Sequence, residues 1–356
     1  MNTATTLATA TPEVRAYRLP APARILAFLA GCYGLALVVY LALRFALADS
    51  LWWLAFLHTF TPYYFAPLPV LIPLLLVAGA RRMAVRLLPL ALIGLLLYGP
   101  LWLPRTVAAN PGGQSIKVVT FNIMVLTHHF EQMADWLRTA DADVILLQEV
   151  SGLEPEAIIN TLEDAYPYAV NLEGTTQLAV SRYPVTDMAL VDLGNWFADR
   201  FVLDVNGVAL AVYNVHMDMP RLREPRLPLI IPNEMLQLAM QYDETYRNSL
   251  IRALLDKVKR EDLPFIVAGD FNTSDNALIY QEIAATMRDS FRETSTGLGA
   301  TWPASAGDND PLMDIIPPLL RIDYIWHSDH LRALSTQLGP ELDSDHLPLV
   351  AVLALP

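Results

Sequence analysis

The sequence contains almost no cysteine, since Cys32 is the only one in 356 residues. A single thiol excludes an internal disulfide and a metal site built from cysteine pairs. Charge is scarce in residues 1–105, which hold eight of the 24 basic and two of the 37 acidic residues. The other 251 residues therefore hold 16 basic and 35 acidic side chains, a net charge of −19, and no basic run. This composition disfavours a duplex nucleic-acid partner, because such binding relies on basic side chains that neutralise phosphates.

Three apolar runs fill the first third of the chain. They cover residues 25–43, about 53–80 and 87–104, and the second contains four prolines. A helix needs about 20 apolar residues to cross the hydrocarbon core of a bilayer, and membrane helices tolerate proline. We therefore predict a membrane domain of three transmembrane helices over residues 25–104, after a cytoplasmic N-terminal segment of residues 1–24. Two alternatives stay open, a cleaved signal peptide that ends near Ala48 and a buried helical core.

Arginines predict the orientation of these helices. Six arginines precede the first apolar run or lie between the second and third, whereas only one lies between the first and second. The six are Arg15, Arg18, Arg24, Arg81, Arg82 and Arg86, and the single one is Arg44. The positive-inside rule then predicts a multi-pass protein of the plasma membrane with a cytoplasmic N-terminus and an extracytoplasmic C-terminal domain. Two spans instead of three would reverse the placement of that domain.

A polar, glycine-containing linker at residues 105–115 precedes an α/β domain predicted for residues 116–356. Several of its β-rich runs are apolar throughout, which indicates burial on both faces. The predicted strands are 116–121, 144–148, 178–182, 201–205, 208–215, 264–269, 321–326 and 347–353. The predicted helices are 130–140, 154–165, 234–260 and 275–287. This alternation favours sheets covered by layers of helices.

Polar side chains stand at the ends of most of these strands. They are Asn122, Glu149, His216, Asp218, Asp270, Asn272, Asp323, Asp345 and His346. Carboxylates with an amide and no cysteine suit a hard divalent cation, Mg²⁺ or Mn²⁺. Such a cation neutralises the charge that develops on a phosphoryl group. A histidine oriented by an aspartate can act as the base that hydrolysis needs.

The motifs TFNI, LLQEV, SRYP, NVHMD, GDFN, RIDYIW and SDHLPL follow one another in this order after residue 115. As an ordered set they resemble the endonuclease/exonuclease/phosphatase superfamily, which includes DNase I-like nucleases, abasic-site endonucleases, inositol polyphosphate 5-phosphatases and neutral sphingomyelinases. The resemblance implies a metal-dependent phosphoester hydrolase. It also implies a four-layer α/β sandwich, in which helices flank two central β-sheets.

The resemblance further implies roles for single residues. Asn122, Glu149 and Asp345 would hold the metal, and His216, Asp270, Asn272, Asp323 and His346 would be catalytic. Asp270 would position or deprotonate the attacking water, and Asn272 would hold the phosphate or the metal shell. His346, oriented by Asp323, would complete the base, and His216 would stabilise the phosphate. Four other histidines are predicted to be structural or surface residues: His128, His129, His327 and His330.

Two predicted loops near the mouth of this site are apolar, LPLII within residues 219–233 and LMDIIPPLL within 309–320. Apolar loops on a membrane-tethered domain favour an amphiphilic substrate. Asp218, Arg221, Arg223 and Arg226 are the possible substrate-binding residues, since arginines can bind lipid phosphate. We therefore predict hydrolysis of a lipid or lipid-linked phosphate at the outer face of the membrane. The alternatives are an extracytoplasmic nuclease and a catalytically retired membrane scaffold, and no protein partner can be inferred.

Overall fold

The computed structural model describes residues 19–107, 113–124, 130–150, 155–222, 242–305 and 316–356. The chain separates into two compact units. We call Met1–Ala42 with Tyr63–Leu96 the apolar unit, and Leu43–Pro62 with Leu97–Pro356 the sandwich unit. The stretch between the first two apolar runs and the first residues of the second run therefore belong with the C-terminal part of the chain.

Helices form the first third of the chain. They are α1 (Ala21–Leu47), α2 (Trp52–Thr59), α3 (Thr61–Phe65), α4 (Leu68–Val77) and α5 (Arg81–Tyr98), with 3₁₀ turns at Ala48–Ser50 and Gly99–Trp102. Two stretches, Ala21–Ser50 and Arg81–Trp102, are long and apolar enough to cross a membrane. The pair Trp52–Thr59 and Thr61–Val77 is bent by 71° and makes a third span only if it counts as one. The structure thus contains two helices that could span a membrane, or up to three if the bent pair is one span, where the sequence predicted three.

The bend in the second apolar run has a local cause. Pro62 has no amide hydrogen, so it cannot continue the helical hydrogen bonds of α2. The hydroxyl of Thr61 donates instead to the carbonyl of His58 at 2.7 Å. Large apolar side chains remain exposed on the helices of the apolar unit, where Phe28 is 69% and Val77 is 88% exposed. Such exposure suits a lipid environment better than water.

Within the apolar unit, α1 and α5 run parallel. Gly31 of α1 lies against Met83 near the start of α5, and Gly34, one turn later, lies against Leu87. A Cβ atom at Gly34 would come within 2.7 Å of Leu87 Cδ2, so the helices approach closely at this small residue. Two parallel helices need a returning segment between them, and the residues between α1 and α5 supply it.

Two six-stranded mixed sheets form the centre of the sandwich unit. The strands are β1 (Ser115–Asn122), β2 (Val144–Gln148), β3 (Tyr168–Val170), β4 (Leu178–Ser181), β5 (Val185–Asp192), β6 (Phe197–Val205), β7 (Val208–His216), β8 (Arg221–Leu222), β9 (Tyr242–Asp243), β10 (Phe265–Asp270), β11 (Arg288–Asp289), β12 (Asp323–His327), β13 (Arg332–Leu338) and β14 (Leu349–Ala354). The first sheet has the order β13-β14-β1-β2-β4-β3 and the second has the order β11-β12-β10-β7-β6-β5. Strands β8 and β9 form a separate pair.

Helices cover the outer faces of the two sheets. They are α6 (Phe130–Thr139), α7 (Pro155–Leu162), α8 (Thr245–Val258) and α9 (Leu278–Ala284). The short α10 (Ser290–Thr294) instead contributes Phe291 to the core between the sheets. Successive side chains of a strand point to opposite faces, so Val118 joins the core between the sheets and Val119 joins the core under α6 and α7. In the second sheet, Val212 faces the first sheet and Tyr213 faces α8. This burial on both faces confirms the predicted α/β sandwich.

The eight predicted strands are present within a few residues of their predicted limits, and the helices predicted at 130–140, 154–165 and 275–287 are α6, α7 and α9. The helix predicted at 234–260 is α8 from Thr245 onward. Residues 242–244 hold β9 and the start of a turn instead. The earlier part of that prediction lies outside the described residues.

Candidate active site

The register of the second sheet brings three of the predicted residues side by side. Asp270 at the end of β10 pairs with His216 of the parallel strand β7. On its other side, Asp270 pairs with Asp323 at the start of the antiparallel strand β12. The Asp270 and Asp323 side chains are buried, and His216 is half-buried. The hydrogen-bond ladder of a rigid sheet therefore sets their spacing.

The first sheet contributes residues from the matching edge. Asn122 at the end of β1 pairs with Gln148 of β2, and Glu149 follows directly. Asn122 joins the two sheets, because its Nδ2 donates to Glu149 Oε1 at 2.9 Å and to Asp270 Oδ2 at 3.1 Å. Its Oδ1 accepts from the backbone of Met124 at 3.0 Å. Asn122 thus presents its amide nitrogen, rather than its oxygen, to the two carboxylates.

His346 lies between two buried carboxylates. Its Nδ1 is 2.9 Å from Asp323 Oδ2, and its Nε2 is 3.7 Å from Asp270 Oδ2. Ser344 holds this loop in place: its hydroxyl donates to the Asn122 carbonyl at 2.7 Å and accepts from the His346 amide at 3.1 Å. Asp323 therefore fixes the ring so that Nε2 faces Asp270.

The charges in this cluster shift two pKa values upward. Burial raises the pKa of the Asp270 carboxyl to about 8, although His346 opposes the shift. Burial alone would lower the pKa of His346, but Asp323 and Asp270 outweigh it and raise that pKa to about 10. Both shifts favour the protonated form of each group at neutral pH. A group poised in this way can accept and return a proton near neutral pH.

His216 completes the cluster on the side of Glu149. Its Nε2 lies 3.5 Å from Glu149 Oε1 and 3.9 Å from Asp270 Oδ2. Burial lowers the pKa of His216, more than Glu149 raises it. The indole of Trp196 donates to the His216 carbonyl at 2.6 Å and fixes the end of the strand. His216 is thus a neutral imidazole that faces the carboxylates.

The backbone around GDFN requires its glycine. Gly269 has a φ of +144°, and a Cβ atom there would come within 1.8 Å of the Val215 carbonyl oxygen. Because Gly269 has no Cβ atom, its strand can approach Val215 closely beside Asp270. Beyond it, Asn272 adopts a left-handed φ of 50°, donates its amide to Asp270 Oδ1 at 2.8 Å and donates Nδ2 to the Met217 carbonyl at 2.8 Å. Glu149 is also left-handed, with a φ of 59°, and such conformations cluster at functional sites.

The donor set fits a divalent cation. Glu149, His216 and Asp270 each offer one ligand atom, and these atoms lie within 4.8 Å of one another. Carboxylate oxygens are the ligands that Mg²⁺ and Mn²⁺ prefer. A cation beside Asp270 would also offset the burial that raises its pKa. Glu149 and Asp270 are the residues that would hold it.

A cleft of about 310 Å³ opens onto this cluster. Glu149, Asp270, Asn272, Asp345 and His346 lie along it. Its remaining described lining is mainly apolar and includes Met219, Pro220, Trp302, Leu320 and Ile322. The described ends of both loops that were predicted near the mouth therefore do reach it.

The remaining predicted site residues are placed differently. Asp345 lines the cleft, where its Oδ2 accepts from Trp302 Nε1 at 3.1 Å. Asp218 accepts from Arg221 Nε at 2.5 Å, and the Arg221 guanidinium lies 3.8 Å from the centre of the Tyr246 ring. This pair is bonded within the protein and takes no part in the cluster.

Four residues named in the sequence analysis lie outside the described residues: Arg223, Arg226, His128 and His129. His327 is buried, and its Nε2 lies 3.0 Å from Glu293 Oε2. His330 is exposed. These last two lie away from the cluster, as the sequence predicted.

Sequence reasoning missed several residues that shape the site. Arg247 is buried, donates to the Asn272 carbonyl at 2.5 Å and pairs with Glu244 at 2.8 Å. Phe56, Thr59 and Phe60 line the cleft, although their segment reads as part of an apolar run. Only Ser344 carried a signal, since it opens the motif that contains His346.

Comparisons with known proteins agree with this geometry. The sequence profile of the Endonuclease/Exonuclease/phosphatase family matches residues 119–346. The endonuclease/exonuclease/phosphatase from Bacteroides vulgatus is 19% identical with a TM-score of 0.51, over 68% of this chain and 100% of that chain. Truncated Caenorhabditis elegans TDP2 is 18% identical with a TM-score of 0.51, over 67% of this chain and 98% of that chain. A search of curated proteins gave no match.

Proposed function

Because the chain belongs to the Endonuclease/Exonuclease/phosphatase family, we propose that it is a metal-dependent hydrolase of phosphoesters that acts on a lipid or lipid-linked phosphate. The observation that carries the proposal is the position of the cluster. Asp270 and His346 lie in a cleft whose other walls are mainly apolar. A substrate that places a phosphate beside the carboxylates and a hydrocarbon group against those walls is an amphiphile.

The residues of the cluster divide the work of hydrolysis. The oxygen of a water forms a bond to phosphorus while the bond to the leaving oxygen breaks. The water proton passes to Asp270, a proton from the Asp270–His346 pair passes to the leaving oxygen, and Asp323 keeps the His346 ring oriented at 2.9 Å. His216 faces the same carboxylates and would contact a phosphate oxygen. A divalent cation, when bound by Glu149 and Asp270, neutralises charge on the phosphoryl group.

The site would face the outside of the cell if the membrane is crossed three times. The apolar unit supports three crossings. The Tyr64 ring lies 5.0 Å from that of Tyr40 in the C-terminal half of α1, and Phe65 packs on Gly94 near the end of α5. Arg81 begins α5 and lies roughly 20 Å from Gly94 along the helix axis. After Phe65, which lies beside Gly94, the chain must therefore run back along α5 to reach Arg81. The segment Thr61–Val77 therefore runs antiparallel to both long helices.

With three crossings, the arginines at the start of α1 and of α5 lie on the same side of the membrane. The N-terminal ends of the parallel helices α1 and α5 lie on one side, and these ends carry Arg24, Arg81, Arg82 and Arg86. The positive-inside rule makes this side cytoplasmic. The chain leaves α5 on the opposite side, so the proposal places the site at the outer face of the plasma membrane.

The single native cysteine allows a direct test of orientation. In a Cys32→Ala background, Glu173→Cys places a thiol on an exposed loop of the sandwich unit, and Arg82→Cys places one at the start of α5. A membrane-impermeant maleimide should label Glu173→Cys in intact spheroplasts and Arg82→Cys only after permeabilisation. The reverse pattern would show that the site faces the cytoplasm.

The activity itself is tested on the full-length protein in detergent micelles. The substrates are bis(4-nitrophenyl) phosphate, a phosphodiester lipid, a polyprenyl diphosphate and duplex DNA. We expect Mg²⁺ or Mn²⁺ to support cleavage of an amphiphile, EDTA to abolish it and added metal to restore it. Cleavage of DNA with no turnover of either lipid would refute this proposal and favour the alternative function, a nuclease. Turnover that survives EDTA would refute the metal dependence.

A further inference from the structure

Helix α2 is built into the sandwich unit, although its sequence reads as the start of a membrane span. Leu54 and Ala55 are buried on that unit. Just before α2, Asp49 accepts from the Leu278 amide at 2.8 Å, and Arg44 donates to the Asn276 carbonyl at 3.1 Å. Hydrogen bonds from side chains just before α2 to the backbone at the start of α9 therefore hold this segment on the sandwich unit.

The face of α2 opposite its buried residues lines the catalytic cleft. Phe56, Thr59 and the following Phe60 lie along the same cleft as Asp270 and His346. The Phe56 and Phe60 rings stack edge to face at 5.4 Å. They give this wall a continuous aromatic surface within the reach of a substrate held at the cluster.

This aromatic wall is tied to the catalytic loop. Phe56 packs edge to face on Tyr242 at 5.6 Å, and the Tyr242 hydroxyl accepts from Arg247 at 3.4 Å. Arg247 in turn donates to the Asn272 carbonyl of the GDFN motif at 2.5 Å. The wall is therefore backed by buried polar contacts and keeps its place relative to Asp270.

We propose that Phe56 and Phe60 bind the hydrocarbon chain of the substrate and select phosphoesters that carry a long chain. The inference rests on the proposed function and names the part of the site that recognises the chain. The residues just before the wall are also apolar and exposed: Phe45 is 83%, Leu47 is 38% and Leu51 is 36% exposed.

The test compares phosphodiesters of one headgroup whose alkyl chain grows from two to sixteen carbons. Each methylene buried against the wall should raise kcat/KM about threefold to fourfold until the wall is covered. In Phe60→Ala and Phe56→Ala, the ratio of kcat/KM for the longest to the shortest chain should fall at least tenfold, mainly through KM. Trp53→Ala is the matched control, because Trp53 lies on α2 but does not line the cleft. It should leave the ratio unchanged.

Phe60→Leu keeps an apolar side chain in the wall and should retain most of the ratio, which protects the test against a variant that folds poorly. An unchanged ratio in both alanine variants would overturn the inference. So would an equal loss of kcat/KM for short and long chains, which would show that α2 has only a structural role. A wild-type enzyme that cleaves no phosphoester at all would instead refute the proposed function.

Discussion

Replacing Asp270 with asparagine should lower kcat on any phosphoester substrate by roughly a thousandfold or more. Asparagine has nearly the same shape, so the bond that Asp270 Oδ1 accepts from the Asn272 amide can be kept. It cannot take a proton from the attacking water or give a negative oxygen to a cation. Two nitrogen atoms lie close to Asp270 Oδ2: Asn122 Nδ2 at 3.1 Å and His346 Nε2 at 3.7 Å. One substitution therefore removes the base and a metal ligand together.

Single-turnover measurements at saturating Mg²⁺ or Mn²⁺ would give the loss in the chemical step. The matched control is Asp256→Asn, an exposed carboxylate on α8, which should leave kcat within about twofold of the wild type. If Asp270→Asn kept more than a tenth of wild-type kcat while its near-ultraviolet circular dichroism was unchanged, the cluster would not be the catalytic site.

Replacing Arg321 with methionine should destabilise the sandwich unit by about 3–5 kcal/mol. The Arg321 side chain is 1% exposed, and its guanidinium donates to Asp289 Oδ2 at 2.7 Å and lies 3.3 Å from Asp275 Oδ2. The Tyr280 hydroxyl also donates to Asp289 Oδ2, at 2.7 Å. Without the guanidinium, Asp289 keeps its charge in a buried position and loses the cation that donates to it. The unfolded chain carries no such penalty, so the loss falls on the folded state.

Urea unfolding of the full-length protein in micelles, followed by near-ultraviolet circular dichroism, would measure this loss. Arg288→Met is the control, because it breaks an ion pair with Asp329 whose two side chains are 59% and 77% exposed. That change should cost less than about 1 kcal/mol. Equal losses in the two variants would mean that the buried network contributes no more than a surface pair.

The interior of the sandwich could be predicted from the sequence, and its edges could not. The eight predicted strands are the four inner strands of each sheet. The strands that were missed in these sheets are the edge strands β3, β5, β11 and β13. An inner strand is covered by both neighbours and both layers, so most of its residues are buried and apolar. An edge strand such as β5 keeps most side chains in solvent and has no such pattern.

The cluster could be anticipated because its residues stand at the ends of inner strands, next to apolar runs that mark where each strand stops. Asn122, Glu149, His216, Asp270, Asp323 and His346 come together in the structure as the motifs suggested. The orientation of the Asn122 amide could not be anticipated. It depends on the Met124 backbone, which folds into a left-handed turn.

The aromatic wall lay beyond sequence reasoning for a different reason. Phe56 and Phe60 belong to a stretch whose composition is that of a membrane span, and hydropathy does not distinguish burial in lipid from burial on protein. Only the break at Pro62 hinted that the run would not be straight. The contact between α2 and Tyr242 joins residues far apart in the chain, and no local pattern encodes it.

The inclusion of Leu43–Pro62 in the sandwich unit means that this unit cannot be separated from the apolar unit by a single cut. A shortened protein that starts in the 105–115 linker would keep every strand and every residue of the cluster. It would lose Phe56 and Phe60, and Tyr242 would be left facing solvent. Under the proposal that Phe56 and Phe60 bind the substrate chain, such a fragment would lose its selectivity for long chains and would expose the apolar surface that α2 covers. Substrate profiles measured on this fragment would lack the contribution of Phe56 and Phe60 to binding.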